Sequence, residues 1–157
     1  VGKMIREDHE YFMELALHEA RRAYDLGEVP IGAVVIDKEG QVLGRGYNLR
    51  EWRGDPTAHA EMLAIQAAAA KRKHWRLHDC RLYVTIEPCM MCAGAIQLSR
   101  ISHVVYGAEN PKGGALRSSG HAYAFERLNH YPVVTGGILA QQCGNIIQDF
   151  FREKRLR

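Results

Sequence analysis

The sequence predicts an α/β fold in which helices cover both faces of a sheet. Stretches of helical periodicity alternate with short β-branched runs along the chain. With 157 residues there is enough surface to bury for one domain with its own core, expected to span residues 1–157. No run of about 18 apolar residues occurs, so no membrane span is expected. Val1 to Lys3 read as an appended remnant. The polar residues that follow offer no apolar leader, which points to the cytoplasm.

The elements follow in order. Phe12, Leu15, Ala16, Ala20 and Ala23 recur at helical spacing and predict a helix from about Glu7 to Leu26, with Gly27 as its stop. Ile31 to Asp37 reads as a buried strand. Glu39-Gly40 turns the chain, and Gln41 to Asn48 returns as the second strand of a hairpin. Asp55-Pro56-Thr57 predicts a helix start, with Asp55 as cap and Pro56 in the first helical position, and an alanine-rich helix to about Lys73. Leu82 to Ile86 is a strand. Pro88 opens a short helix through about Leu98, and His103 to Tyr106 is a strand ended by Gly107. Residues 109–130 carry no clear period. Val133 to Val134 is a short strand. Ile138 to about Lys154 is the last helix, with Leu139, Cys143, Ile146, Ile147 and Phe150 on one stripe.

Charge and cysteine content narrow the possible functions. The net charge of +3 resides entirely in Arg152 to Arg157, so attraction to nucleic acid concentrates at the C-terminal end. Four cysteines occur, and a reducing compartment favours metal or catalytic roles for them over disulfides. Cys80 and Cys143 read as small buried residues.

The chemistry lies in two short motifs, His59-Ala60-Glu61 and Pro88-Cys89-Met90-Met91-Cys92. One imidazole and two thiolates suit a zinc ion whose fourth position stays open for water. Cys89 and Cys92 are spaced to share one helix face, and a helix N-terminus favours the thiolate form. Glu61 stands two residues from His59, beside the metal rather than on it. Two thiolates and a neutral imidazole cancel the charge of the ion and weaken it as a Lewis acid, so Glu61 is expected to assist as proton carrier. A four-ligand structural site completed by Cys80 or Cys143 is the bland alternative, and it leaves Glu61 without a role. H-x-E paired with P-C-x-x-C is the general signature of zinc nucleobase deaminases.

At these residues the chain resembles the bacterial tRNA-specific adenosine deaminases of the cytidine deaminase-like superfamily. The similarity extends to Glu28-Val29-Pro30-Ile31-Gly32-Ala33-Val34, Asp55 to Glu61, Leu82 to Cys89, Met91 to Ala95, Ser99-Arg100-Ile101, Leu128-Asn129-His130 and Asp149 to Arg152. The resemblance implies a three-layer α/β/α fold around a mixed sheet of mostly five strands. It also implies a homodimer and conversion of wobble adenosine to inosine in a tRNA anticodon stem-loop. His59, Cys89 and Cys92 would hold one zinc ion per chain, with Glu61 as proton shuttle. Asn48 would hydrogen-bond the flipped base, Ile31 would pack on it, and the Ala60 backbone would orient it. Phe151 and Arg152 would lie near the anticodon loop.

The chain departs from the family pattern in two places. Asn110 follows Glu109 where an acidic residue is usual, which removes a negative charge near the expected nucleic-acid backbone and leaves single-stranded DNA open as a substrate. Residues 116–125 replace the usual aliphatic stretch, so the local structure of the family does not carry over. Free cytosine or guanine compounds are the remaining substrates for the same chemistry, and a zinc-stabilised RNA-binding module is the non-catalytic alternative. Taken alone, Asn48 also reads as a turn residue. Lys71 to Arg76 reads equally as a phosphate patch or a solvated helix end. Phe151 could stack on a base. His121 and His130 read as turn or surface residues, and Met90 and Met91 as space fillers.

Overall fold

The computed structural model describes residues 6–156. Val1 to Lys3 and Arg157, the last cation of the basic tail, lie outside the described residues. Five strands form one mixed sheet in the order β2-β1-β3-β4-β5. They are β1 (Gly32–Ile36), β2 (Val42–Tyr47), β3 (Arg81–Ile86), β4 (His103–Ala108) and β5 (Val133–Thr135). β1 is antiparallel to both of its neighbours, β2 and β3. β3, β4 and β5 run parallel.

Successive side chains on each strand face opposite layers. Ala33, Val35, Leu82, Val84, Val104 and Tyr106 form one core with Ala60, Ala64 and Ala68 of α3 (Ala60–Arg72) and Ala93 and Ile96 of α4 (Met90–Leu98). Val34, Ile36, Tyr83 and Val105 form the other with α1 (Arg6–Asp25) and Cys143 of α5 (Ala140–Leu156). The result is the three-layer α/β/α arrangement expected from the sequence. None of the described helices is long and apolar enough to cross a membrane.

Glycines set the spacing of α3. A Cβ on Gly44 would lie 2.7 Å from the Ala68 nitrogen, and one on Gly46 2.7 Å from that of Ala64. The alanine face of α3 therefore rests directly on the backbone of β2. Gly27, at φ +79°, ends α1 as expected.

Several expectations need correction. α3 begins at Ala60, not at Asp55-Pro56, and its N-cap is His59. The Asp55 carboxylate instead accepts hydrogen bonds from the Thr57 N–H and hydroxyl, at 2.8 and 2.7 Å, and makes a turn. α4 likewise starts at Met90 with Cys89 as N-cap, so Pro88 lies outside it. Gly107 does not end β4. It is buried within the strand, where a Cβ would lie 2.8 Å from the Thr85 carbonyl and closer still to Cys143. A four-residue helix, α2 (Arg50–Arg53), was not anticipated. The stretch 109–130 consists of turns and one 3-10 turn, Ala122–Ala124.

Candidate metal centre and active site

The pocket lies at one edge of the sheet. The strand pairing brings the start of β1 and the ends of β2, β3 and β4 to the same side. Ligands in open α/β folds collect at such a carboxyl edge of parallel strands. The N-termini of α3 and α4 point into it, carried by His59 and Cys89. A cavity of about 140 Å³ is lined by Ile31, Asn48, His59, Ala60, Glu61 and Asn110, together with Val29, Arg50, Ile86, Glu87 and Cys89.

His59, Cys89 and Cys92 converge, with all their donor atoms within 4.8 Å of one another. The Cys89 and Cys92 sulfurs lie 3.6 and 3.5 Å from His59 Nδ1. On a tetrahedral zinc with Zn–S about 2.3 Å and Zn–N about 2.0–2.1 Å, a sulfur and a nitrogen stand about 3.5 Å apart. The donor set and its spacing therefore fit that ion. Cys80 and Cys143 are buried free thiols outside this group, so neither completes a fourth protein ligand among the described residues. A hydrogen bond from Cys92 draws the Cys89 thiol down to about 4, and the Cys92 thiol moves up as it keeps that proton. Cys89 is thus the more readily ionised of the two, and a cation binding the pair competes with protons.

Glu61 sits in the first turn of α3 and is 3 % exposed. Burial pushes its carboxyl up to about 7, which suits a group that takes and returns protons near neutrality. Asn48 is also buried. Its amide N–H donates to the Val29 carbonyl at 3.2 Å, and its oxygen accepts from the Arg50 N–H at 3.1 Å. Asn48 thus shapes the turn, as one of its two sequence readings expects, and it also lines the pocket. One N–H and one lone pair remain on that amide. Ile31, Ala60 and Asn110 stand in the lining.

Phe151 and Arg152 are placed on α5, outside the lining. Phe151 is half-exposed, and Arg152 pairs with Asp149 at 3.1 Å. Met90, expected to fill space, is 77 % exposed. Lys73 is the left-handed C-cap of α3, and Arg72 donates to the carbonyls of Arg76 and His78, so at least part of the 71–76 cluster closes a helix end. The His121 side chain lies on the surface, and His130 Nε2 bonds the Ile101 carbonyl at 2.7 Å.

Two buried carboxylates frame the pocket, and the sequence reading assigned neither a role. Glu28 accepts from the backbone N–H groups of Glu51 and Trp52, at 3.1 and 2.6 Å, and so holds the turn that carries Arg50. Glu87 accepts from the backbone of residues 110–118. Burial works against its charge, yet hydrogen bonds from Ser118, Arg117 and Asn110 hold its carboxyl down to about 2. The only sequence signal was the presence of both residues in the motifs shared with the family.

The chain matches the family described as MafB19-like deaminase over residues 7–155. It is 50% identical over 151 residues to a tRNA-specific adenosine deaminase of Streptococcus pyogenes serotype M1, covering 96% of this chain and 88% of that protein. It is 47% identical over 146 residues to the enzyme of the same name from Bacillus subtilis strain 168, covering 93% and 90%. A solved structure from work on A-to-I editing by tRNA deaminases at the wobble position of transfer RNA aligns with TM-score 0.83 and 43% identity, over 87% of this chain and 98% of that one.

Proposed function

The chain belongs to the MafB19-like deaminases and to the family of the tRNA-specific adenosine deaminases, and from that premise we propose that it converts adenosine to inosine at the wobble position of a tRNA anticodon loop, using one zinc ion per chain. The observation that carries this reading is the three-donor cluster beside a buried carboxyl at the mouth of two helices. Bound by His59, Cys89 and Cys92, zinc would act as a Lewis acid that makes water nucleophilic near neutral pH.

The protein side chains do the rest. Glu61 takes a proton from the attacking water and hands it to the ring nitrogen beside the amino-bearing carbon. A carbon–oxygen bond forms there. Glu61 then carries the second proton of that oxygen to the amino group. The carbon–nitrogen bond breaks, ammonia leaves, and a carbonyl remains. Asn48 orients the base with its spare N–H and lone pair, Ile31 packs on the ring, and the Ala60 backbone completes the seat. Phe151 and Arg152 extend the contact to the anticodon loop from the basic end of α5. A homodimer, which the family resemblance implies, is part of the same reading. The reading makes residues 1–157 one deaminase domain and puts the enzyme in the cytoplasm with its tRNA.

A second reading, action on adenine in single-stranded DNA, rests on the neutral Asn110 in the lining. The test is incubation of the zinc-loaded protein with an adenosine-wobble anticodon stem-loop, its DNA analogue, free cytidine and free guanine. Inosine in the RNA alone supports the proposal, while turnover confined to DNA or a free base replaces it. No turnover of any substrate points to a non-catalytic RNA-binding module.

A further inference from the structure

Glu87 has no part in the proton transfers above, yet five hydrogen bonds converge on its carboxylate. The donors are the backbone N–H groups of Asn110 (3.2 Å), Leu116 (3.1 Å), Arg117 (2.7 Å) and Ser118 (2.9 Å), and the Ser118 hydroxyl. All lie on one loop, residues 110–118. Glu87 itself is 1 % exposed and stands two residues before Cys89. The adjoining Pro88 carbonyl accepts from the Ala115 N–H at 2.9 Å, so the same short segment holds the loop twice. Close approach is built in at Gly114. A Cβ there would come within 2.5 Å of the Glu87 Oε1 and 2.6 Å of the Asn110 carbonyl.

Most of the loop residues belong to turns; Ala115 and Leu116 pack into the core beside α4, and the Arg117 side chain donates to the Val134 carbonyl of β5 at 3.0 Å. Those contacts leave the backbone N–H groups of residues 110 and 116–118 to be satisfied, and charge-assisted bonds to the single buried Glu87 carboxylate do so. The near end of the loop is Asn110, which lines the pocket together with Glu87. The carboxylate oxygens are saturated by donors from the protein, so they have little capacity left to move protons. The metal-ligating group does not include this residue.

We infer that Glu87 is a positioning residue, which clasps the 110–118 loop to the segment bearing Cys89 and thereby fixes the Asn110 wall against which the substrate nucleotide sits. The identity of that nucleotide rests on the function proposed above. Glu87→Gln replaces one acceptor oxygen by an NH₂ group that faces backbone N–H donors, leaving several buried donors unpaired. An undocked loop lowers the fraction of binding-competent enzyme, and the apparent affinity falls by that fraction.

The experiment compares E87Q, G114A and S118A with the unaltered protein, each zinc-loaded. Backbone hydrogen exchange of residues 110–118 is read alongside zinc content and steady-state kinetics on the anticodon stem-loop. In E87Q and G114A, loop exchange should speed by about tenfold or more, with exchange in α3 unchanged. KM should rise about tenfold while kcat stays within about threefold and zinc stays near one per chain. S118A, which removes a single donor, should shift KM by less than about threefold. The inference is overturned by unchanged loop exchange, by faster exchange with an unchanged KM, by loss of kcat at constant KM, or by loss of zinc. G114A keeps the test open should E87Q fail to fold. If the unaltered protein converts none of the substrates, the proposed function falls, and loop exchange still decides the clasp.

Discussion

Replacing Gly46 by alanine tests how the fold aims its catalytic groups. The new Cβ would lie 2.7 Å from the Ala64 nitrogen and closer still to the Ala60 carbonyl, where ordinary contacts begin near 3.4 Å. β2 is held in the sheet by β1, so α3 must yield by roughly 0.7 to 1 Å. Its first turn carries Glu61, and its N-cap is His59. Overpacking of this kind costs about 1–3 kcal/mol, which for a chain of this length lowers Tm by roughly 2–12 °C. Misplacement by about 1 Å costs on the order of 10²-fold in rate. Circular dichroism melts and initial rates of inosine formation measure the two effects. Gly144→Ala is the control. It lies within α5 with nothing near its Cβ position, and should stabilise by about 0.5–1 kcal/mol. Gly46→Ala with unaltered Tm and rate would refute the reasoning, because α3 would then be free to slide without consequence.

Further outcomes are expected elsewhere. His103, with Nε2 2.7 Å from the Thr135 hydroxyl, is brought down to about 4 by burial and then by His9 and Arg81. The unfolded chain protonates this imidazole near 6.5, so its contribution is complete above that pH and is lost as pH falls toward 4. Melts from pH 7 to 5 should show a loss of about 1–2 kcal/mol, allowing for the partly solvated ring, and His103→Gln should flatten that limb. Glu28→Gln should cost about 1–3 kcal/mol and speed trypsin cleavage after Arg50 or Arg53, because one of the Glu51 and Trp52 N–H groups then faces an NH₂ group instead of an acceptor oxygen. Chelation should lower Tm by several degrees, with recovery on adding Zn²⁺ and none on adding Mg²⁺, since thiolates select the softer ion.

The three layers and the cluster of His59, Cys89 and Cys92 were legible because each rests on short motifs and periodicities. Alternation, helical stripes and the spacings within each motif, His59 with Glu61 and Cys89 with Cys92, lie within a few residues, while the convergence of the two motifs across about 30 residues was implied by their pairing in a known signature. The helix starts were misread for a physical reason. Asp55-Pro56 has the chemistry of a cap, but the Asp55 carboxylate is taken by Thr57, and His59 stays extended at φ −81°, ψ 152° as the actual N-cap. Gly107 looked like a stop, but its missing side chain makes room for Cys143, 36 residues later in the chain. The roles of Glu28 and Glu87 could not be read, because their partners are backbone N–H groups 23 to 31 residues away. Backbone donors have no letter in a sequence.

The division of labour between the ion and Glu61 is tested most directly by measuring zinc content and turnover together in Glu61→Ala. The predicted result is about one zinc per chain with inosine formation abolished. Loss of the ion along with activity would make Glu61 part of the ion's support, and retained turnover would remove it from the proton path. Either result would contradict the account.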